Sequence, residues 1–365
     1  MKIERAFAAG FLAVFMLTSA VLILDQEEDS GELEINSSGE EVKRTEDGTK
    51  YTVHPDRLRR GCPSIDCIPS IDDPEFQEAS EADWLRPGDR VIGLEINGSS
   101  RAYPLRILRR HEIVNDRIDG EPVAVTYCPL CRSGLTYSRE VGNETLEFGV
   151  SGKLLDANLV MYDRSTETYW SQIQGEAIIG PRTPQELDLI FSSITTWRDW
   201  RSAHPDTRVL SRRTGAGLVS DYEANPYSGY ANSSVVGFGV SETDGRLPSK
   251  ELVHGIVAGG QAVAYPDSSL EPGKLVQDRV GGEPVAVFRQ PDDGTVRSLV
   301  RRHEGKTLNL ELVEGGLEDS SGRLWSFEGE MRNGTGSLET LTPRGFYWFA
   351  WSKFHPETEI YRGAR

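Results

Sequence analysis

The chain has 365 residues, enough for two cored domains beside a leader. Its 57 acidic and 40 basic residues leave a net charge of −17, which excludes nucleic acid and anionic lipid as partners of the body of the protein. Only eight of the basic residues are Lys, and an evenly acidic, Lys-poor surface suits a halophilic protein, in which salt screens self-repulsion; an ordinary acidic secreted protein is the alternative.

Lys2 and Arg5 precede Ala6–Leu24, nineteen residues without a charge. At about 1.5 Å per helical residue this run spans a hydrocarbon core. The acidic cluster Asp25, Glu27, Glu28 and Asp29 follows it. The pattern predicts a signal anchor over 1–24: a single-pass helix in the cell membrane with the body on the extracellular side. A cleaved signal peptide is the rival reading. Five of the nine Asn residues (Asn36, Asn97, Asn143, Asn232 and Asn333) begin Asn-X-Ser/Thr triplets, which predicts export and glycosylation. Residues 25–60 are polar, acidic and rich in Gly and Ser, and read as a disordered linker.

The stretch 91–129 lies over 253–291 without a gap, with seventeen of thirty-nine positions identical. Ala102-Tyr103-Pro104 recurs as Ala264-Tyr265-Pro266. Trp170, Trp197, Trp200 and His204 recur in order as Trp325, Trp348, Trp351 and His355. This predicts a duplicated domain: a first copy at 61–212, a connector at 213–249, and a diverged second copy without Cys at 250–365. Short runs such as Val91–Ile96, Pro122–Tyr127 and Leu159–Tyr162, broken by Gly, Asn and Asp, predict strands. One clear helix is expected at Thr195–His204, capped by Thr195 or Thr196 and stopped by Pro205. The expected class is mainly β (α+β), with two tandem homologous β-barrel or β-sandwich-like domains, each carrying a short C-terminal helix.

The repeat acts as a control: residues kept in both copies read as scaffold, and residues peculiar to one copy as candidates for chemistry. Cys128 and Cys131 become Gln290 and Asp293, and His111 becomes Gly273. At Cys-X-X-Cys spacing two sulfurs grip one soft metal, close a reducible disulfide, or form a permanent one. A metal needs further ligands, for which His111 and His204 are nearest in kind, with zinc, copper or iron as the metal. His204 recurs as His355, which favours a helix-end role for it. Cys62 and Cys67 predict a small structural disulfide, with a four-Cys zinc site as the alternative.

The runs Asp66–Pro74, Arg101–Leu105, His111–Asp116, Val125–Cys131, Phe148–Lys153, Leu159–Arg164, Trp170–Gln172 and Trp197–Pro205 together resemble the domain of unknown function 3179 family, over roughly 65–212. That resemblance implies no established activity. Its recurring polar positions fall on His111, Cys128, Cys131, Ser151, Asp163, Gln172 and His204. The leading expectation is a metal-binding or metal-handling protein. The alternatives are a thiol–disulfide oxidoreductase acting on an exported protein partner, and a non-catalytic surface module held by disulfides.

Overall fold

The computed structural model describes residues 34–36, 39–216, 221–240 and 242–363. The expected membrane segment lies outside them, and among the described residues no helix is long and apolar enough to cross a membrane. Strands form where β-branched and aromatic residues alternate between turn residues, and the protein is mainly β with three short helices. The strand Arg90–Ile96 turns back through Asn97-Gly98, both at positive φ, into Ser99–Pro104. Such a turn matches the twist of a two-residue hairpin. Leu252–Ala258 and Gln261–Pro266 repeat the arrangement around Gly259-Gly260.

Registers agree as well as sequence. Val91 faces Pro104 and Val253 faces Pro266; Ile113 faces Thr126 and Leu275 faces Phe288. In each half a late strand returns parallel to the second hairpin strand: Arg208 pairs with Arg101, and Glu359 with Val263. A helix precedes each return. Here α2 (Trp197–Ala203) belongs to the first half and α3 (Trp348–Phe354) to the second. Thr196 caps α2 by accepting from the Asp199 amide. Trp200 lies flat on Gly93 and Trp351 on Gly255, while their indole N–H groups donate to Thr207 and Thr358 at 3.0 and 2.8 Å.

Two features depart from the expectations, and a third shows how the halves meet. A further helix, α1 (Leu105–His111), follows Pro104 and buries Leu105, Ile107, Leu108 and His111. Seven residues are too few to hold a helix by themselves, so its existence depends on tertiary burial. The expected linker is in part woven into a sheet: Lys43–Arg44 pairs with Lys50–Tyr51, Tyr51 meets Ile179, and Arg59–Arg60 pairs with Leu154 and Lys153. Edge pairing gives this polar segment its order, helped by burial of Val53. Finally, the largest hydrophobic cluster draws on both halves, joining Cys128, Leu130, Phe148 and Trp170 to Val253, Phe346, Trp348 and Trp351.

Candidate functional site

Cys128 ends the strand Glu121–Cys128, and the following strand begins at Ser133, so Pro129-Leu130-Cys131-Arg132 make the turn. Both cysteines are free thiols, 1% and 0% exposed. A hairpin turn at Asp156-Ala157 lays the Ala157 carbonyl 3.7 Å from Cys128 Sγ and 3.3 Å from Cys131 Sγ. Burial pushes the Cys128 thiol up, but the Cys131 side chain and the amides of Cys131, Leu159 and Leu130 outweigh it and hold the thiol below its ordinary value. Burial and the neighbouring Cys128 push Cys131 far up. The two thiols are therefore unlike, Cys128 the more easily ionised and Cys131 the less.

The second half closes the site. Tyr347 donates its backbone N–H to the Cys131 carbonyl at 2.9 Å, and Trp348 and Phe349 pack in the same cluster as both cysteines. On the other side lies a buried polar network. Gln172 Nε2 donates to Thr126 Oγ1 at 2.9 Å, and its Oε1 accepts from Ser133 Oγ and Asn158 Nδ2, both at 2.8 Å. Asn158 in turn touches Cys131. Every polar atom of the Gln172 amide is thus used, which fixes the wall behind the thiols.

Glu112 stands beside the pair. It is 7% exposed, and burial, then the charge at Cys128, raise its carboxyl well above the usual carboxylate range. Glu112 has φ +59°, Arg132 φ +57° and Ala157 φ +62°. Left-handed backbone costs a non-glycine residue of order 1 kcal/mol, and here three such residues surround one pair of thiols. Glu112, Leu130 and Leu159 line a cavity of ≈ 70 Å³ together with Cys62.

The other residues singled out by sequence are placed elsewhere or serve the scaffold. His111 is buried, with Nδ1 2.7 Å from the Pro69 carbonyl and Nε2 2.8 Å from the Tyr222 hydroxyl. A carbonyl only accepts, so Nδ1 carries the proton; burial keeps the ring neutral, and Nε2 accepts from Tyr222. His204 stacks on Trp200 at 3.8 Å, and its Nδ1 lies 2.9 Å from Glu95 Oε2. Ser151 Oγ donates to the Val160 carbonyl and accepts from the Lys153 amide, holding a strand irregularity. Asp163 accepts from Trp170 Nε1 at 3.0 Å and from the Thr166 amide at 2.7 Å. Asp319 accepts from Trp325 Nε1 in the same way, so this carboxylate belongs to the framework of both halves.

Cys62 and Cys67 are bonded to each other, so the four cysteines do not form one site. The expected ligand set of Cys128, Cys131, His111 and His204 is not brought together either. Both ring nitrogens of His111 are engaged, His204 lies against α2, and among the described residues no three His, Cys, Asp or Glu side chains converge as metal ligands. Two thiols alone do not satisfy a tetrahedral metal.

Sequence reasoning passed over Glu112, Thr126, Ser133 and Asn158. The repeat contained a signal for two of them, since Lys274 stands where Glu112 does and Phe288 where Thr126 does. Ser133 and Asn158 are recognisable only from their shared contact with Gln172.

Neither the curated proteins nor the solved structures contain a match to this chain. A family model, by contrast, covers residues 65–358, extending the resemblance seen in the first half through the second, and the thiol turn and the helix that covers it both fall inside that span. The chain belongs to the family described as Protein of unknown function (DUF3179).

Proposed function

We propose that this is an exported, membrane-tethered protein whose two halves are diverged copies, and that its Cys128–Cys131 pair cycles between dithiol and disulfide. What supports the reading is the juxtaposition of two free thiols at one turn, 3.7 and 3.3 Å from the same Ala157 carbonyl, where the Cys131 side chain and nearby amides lower the Cys128 thiol while burial and Cys128 raise Cys131. Cys128 Sγ attacks one sulfur of a disulfide, that S–S bond breaks, and the leaving thiolate takes a proton. The proton for that first leaving group comes from Glu112, whose carboxyl burial keeps protonated; Cys131 then attacks Cys128 Sγ, its proton returns to Glu112, and the second sulfur leaves as a thiolate that takes a proton from water. The balance is one dithiol and one disulfide in, one disulfide and two thiols out. Both sulfurs are buried, and Cys62 lines the cavity beside Leu130 and Glu112. The chain's own Cys62–Cys67 disulfide is therefore the first acceptor to test, before an exported protein partner.

The test is thiol counting on native protein across a glutathione redox series, with and without chelator, followed by trapping. Two thiols that disappear as the buffer becomes oxidising, whatever the chelator, support the reading. Cys131→Ser should then accumulate a mixed disulfide at Cys128, which peptide mapping assigns to Cys62, Cys67 or an added thiol, and Cys128→Ser should accumulate none. Thiols that react only after chelation would replace the redox reading with metal binding. Thiols indifferent to the whole series would leave a structural module.

A further inference from the structure

On the outer side of the thiol turn, Pro129 forms part of the wall of a cleft of ≈ 310 Å³. Four arginines line it (Arg90, Arg106, Arg109 and Arg132) against the single carboxylate of Asp89, in a chain whose net charge is −17. Arg106 is committed to Asp89 and Glu223 by ion pairs of 2.9 and 2.5 Å. The rest are not so occupied. Arg109 donates only its Nε, to the Leu105 carbonyl at 3.0 Å, and among the described residues the guanidinium groups of Arg90 and Arg132 form no ion pair or hydrogen bond. Partial burial and then the nearby charge of Arg132 lower the Arg90 guanidinium, partly offset by Asp267 and Asp199. Tyr127, Tyr227, Tyr230 and Tyr347 line the same space, with Lys250 Nζ 3.3 Å from the Tyr230 ring centroid.

A second observation singles out Arg132. Its backbone is left-handed, at φ +57°, and the equivalent position of the second half is Gly294, at φ +69°. Glycine adopts that conformation freely and arginine at a cost of order 1 kcal/mol. The first half bears strain at this position, where an unstrained residue is available, and what arginine adds there is a guanidinium lining the cleft. Arg90 and Arg109 are also peculiar to the first half, standing where the second has Leu252 and Glu271.

We infer that this cleft is a binding site for a small ring-bearing oxyanion, a carboxylate or a phosphate ester, held by Arg90, Arg109 and Arg132 with its ring against the tyrosines. Planar guanidinium forks match both kinds of oxyanion, and the volume admits one ring with its charged group. The site stands independently of any thiol chemistry.

Binding is measured by calorimetry at low salt and again in 1 M NaCl, with inorganic phosphate, phenyl phosphate, benzoate and glucuronate as probes. At least one should bind with Kd below about 1 mM, more weakly in high salt. The ring-bearing member of a pair should bind more tightly than the bare anion, and the better of phosphate ester and carboxylate identifies the class. Arg132→Gly should unfold at a concentration of urea no lower than the parent, because it relieves backbone strain, yet bind at least about tenfold more weakly. Arg90→Gln, at an exposed position, should show the same loss without any folding question. Failure of every probe to bind, or unchanged affinity in both variants, overturns the inference.

Discussion

Glu112 places a titratable group where water is scarce, and its pH behaviour follows from that. Burial raises the folded-state pKa above the unfolded value, so the unfolded chain ionises first and stability falls as pH rises from about 4.3, levelling once the folded carboxyl also ionises. Glu112→Gln removes that slope and is expected to be more stable than the parent at pH 8 by on the order of 1–3 kcal/mol, with no gain at pH 4, as read from urea denaturation at the two pH values. Asp163 and Asp319 run the other way. Burial would raise both, but hydrogen bonds outweigh it and hold each below the carboxylate range: from Trp170, Thr166 and Ser165 to Asp163, and from Ser321 and Arg323 to Asp319. Their contribution is present above the unfolded pKa and is lost as pH falls below about 4. Asp163→Asn and Asp319→Asn should each lose about 1–3 kcal/mol at pH 7 and show a shallower acid transition in circular dichroism. At this scale the sequence exposed Cys128 and Cys131 because the second half lacks them. It misdirected attention to His111, because a histidine's partners, here Pro69 and Tyr222, are long-range contacts that spacing does not encode.

Between residue and fold, the helices depend on glycine. A Cβ built on Gly93 would fall 2.2 Å from the Trp200 ring, and one on Gly255 would fall 2.2 Å from the Trp351 ring. Neither glycine is left-handed, so the requirement is close approach: α2 and α3 seat a flat indole directly on a strand. Gly93→Ala and Gly255→Ala should therefore each destabilise by about 1–3 kcal/mol in urea, with similar values because the two contacts are alike. This much was legible, since the Gly and Trp positions recur together in the alignment. Helix α1 was not. Its apolar positions Leu105, Ile107 and Leu108 read equally well as the continuation of a strand, and what decides for helix is the sheet surface that receives them. The edge strands of residues 43–60 escaped notice for a related reason: main-chain pairing orders a polar segment without leaving an apolar pattern.

In the molecule as a whole, the two halves share a core, and the cover of the thiol turn comes from the half that has no cysteine. Trp348→Ala should cost about 3–5 kcal/mol and, in the protein that remains folded, should raise the rate at which a small thiol reagent labels Cys128 under native conditions. Unchanged labelling would mean that Trp348 does not limit access. The ungapped repeat pointed to like strands in the two halves but not to their order or to the core they share, because a repeat states what resembles what and is silent on what packs against what. That shared core has a consequence in time. The residues that seal the thiol turn, Tyr347 and Trp348, lie far downstream of Cys131, so during synthesis the pair stands open to small oxidants and reductants until α3 has been made and has docked. Before α3 docks both sulfurs meet solvent directly, and afterwards burial slows their encounter with any reagent or partner. A pulse of alkylating reagent early in refolding should modify both sulfurs, and the same pulse after refolding should modify them far more slowly.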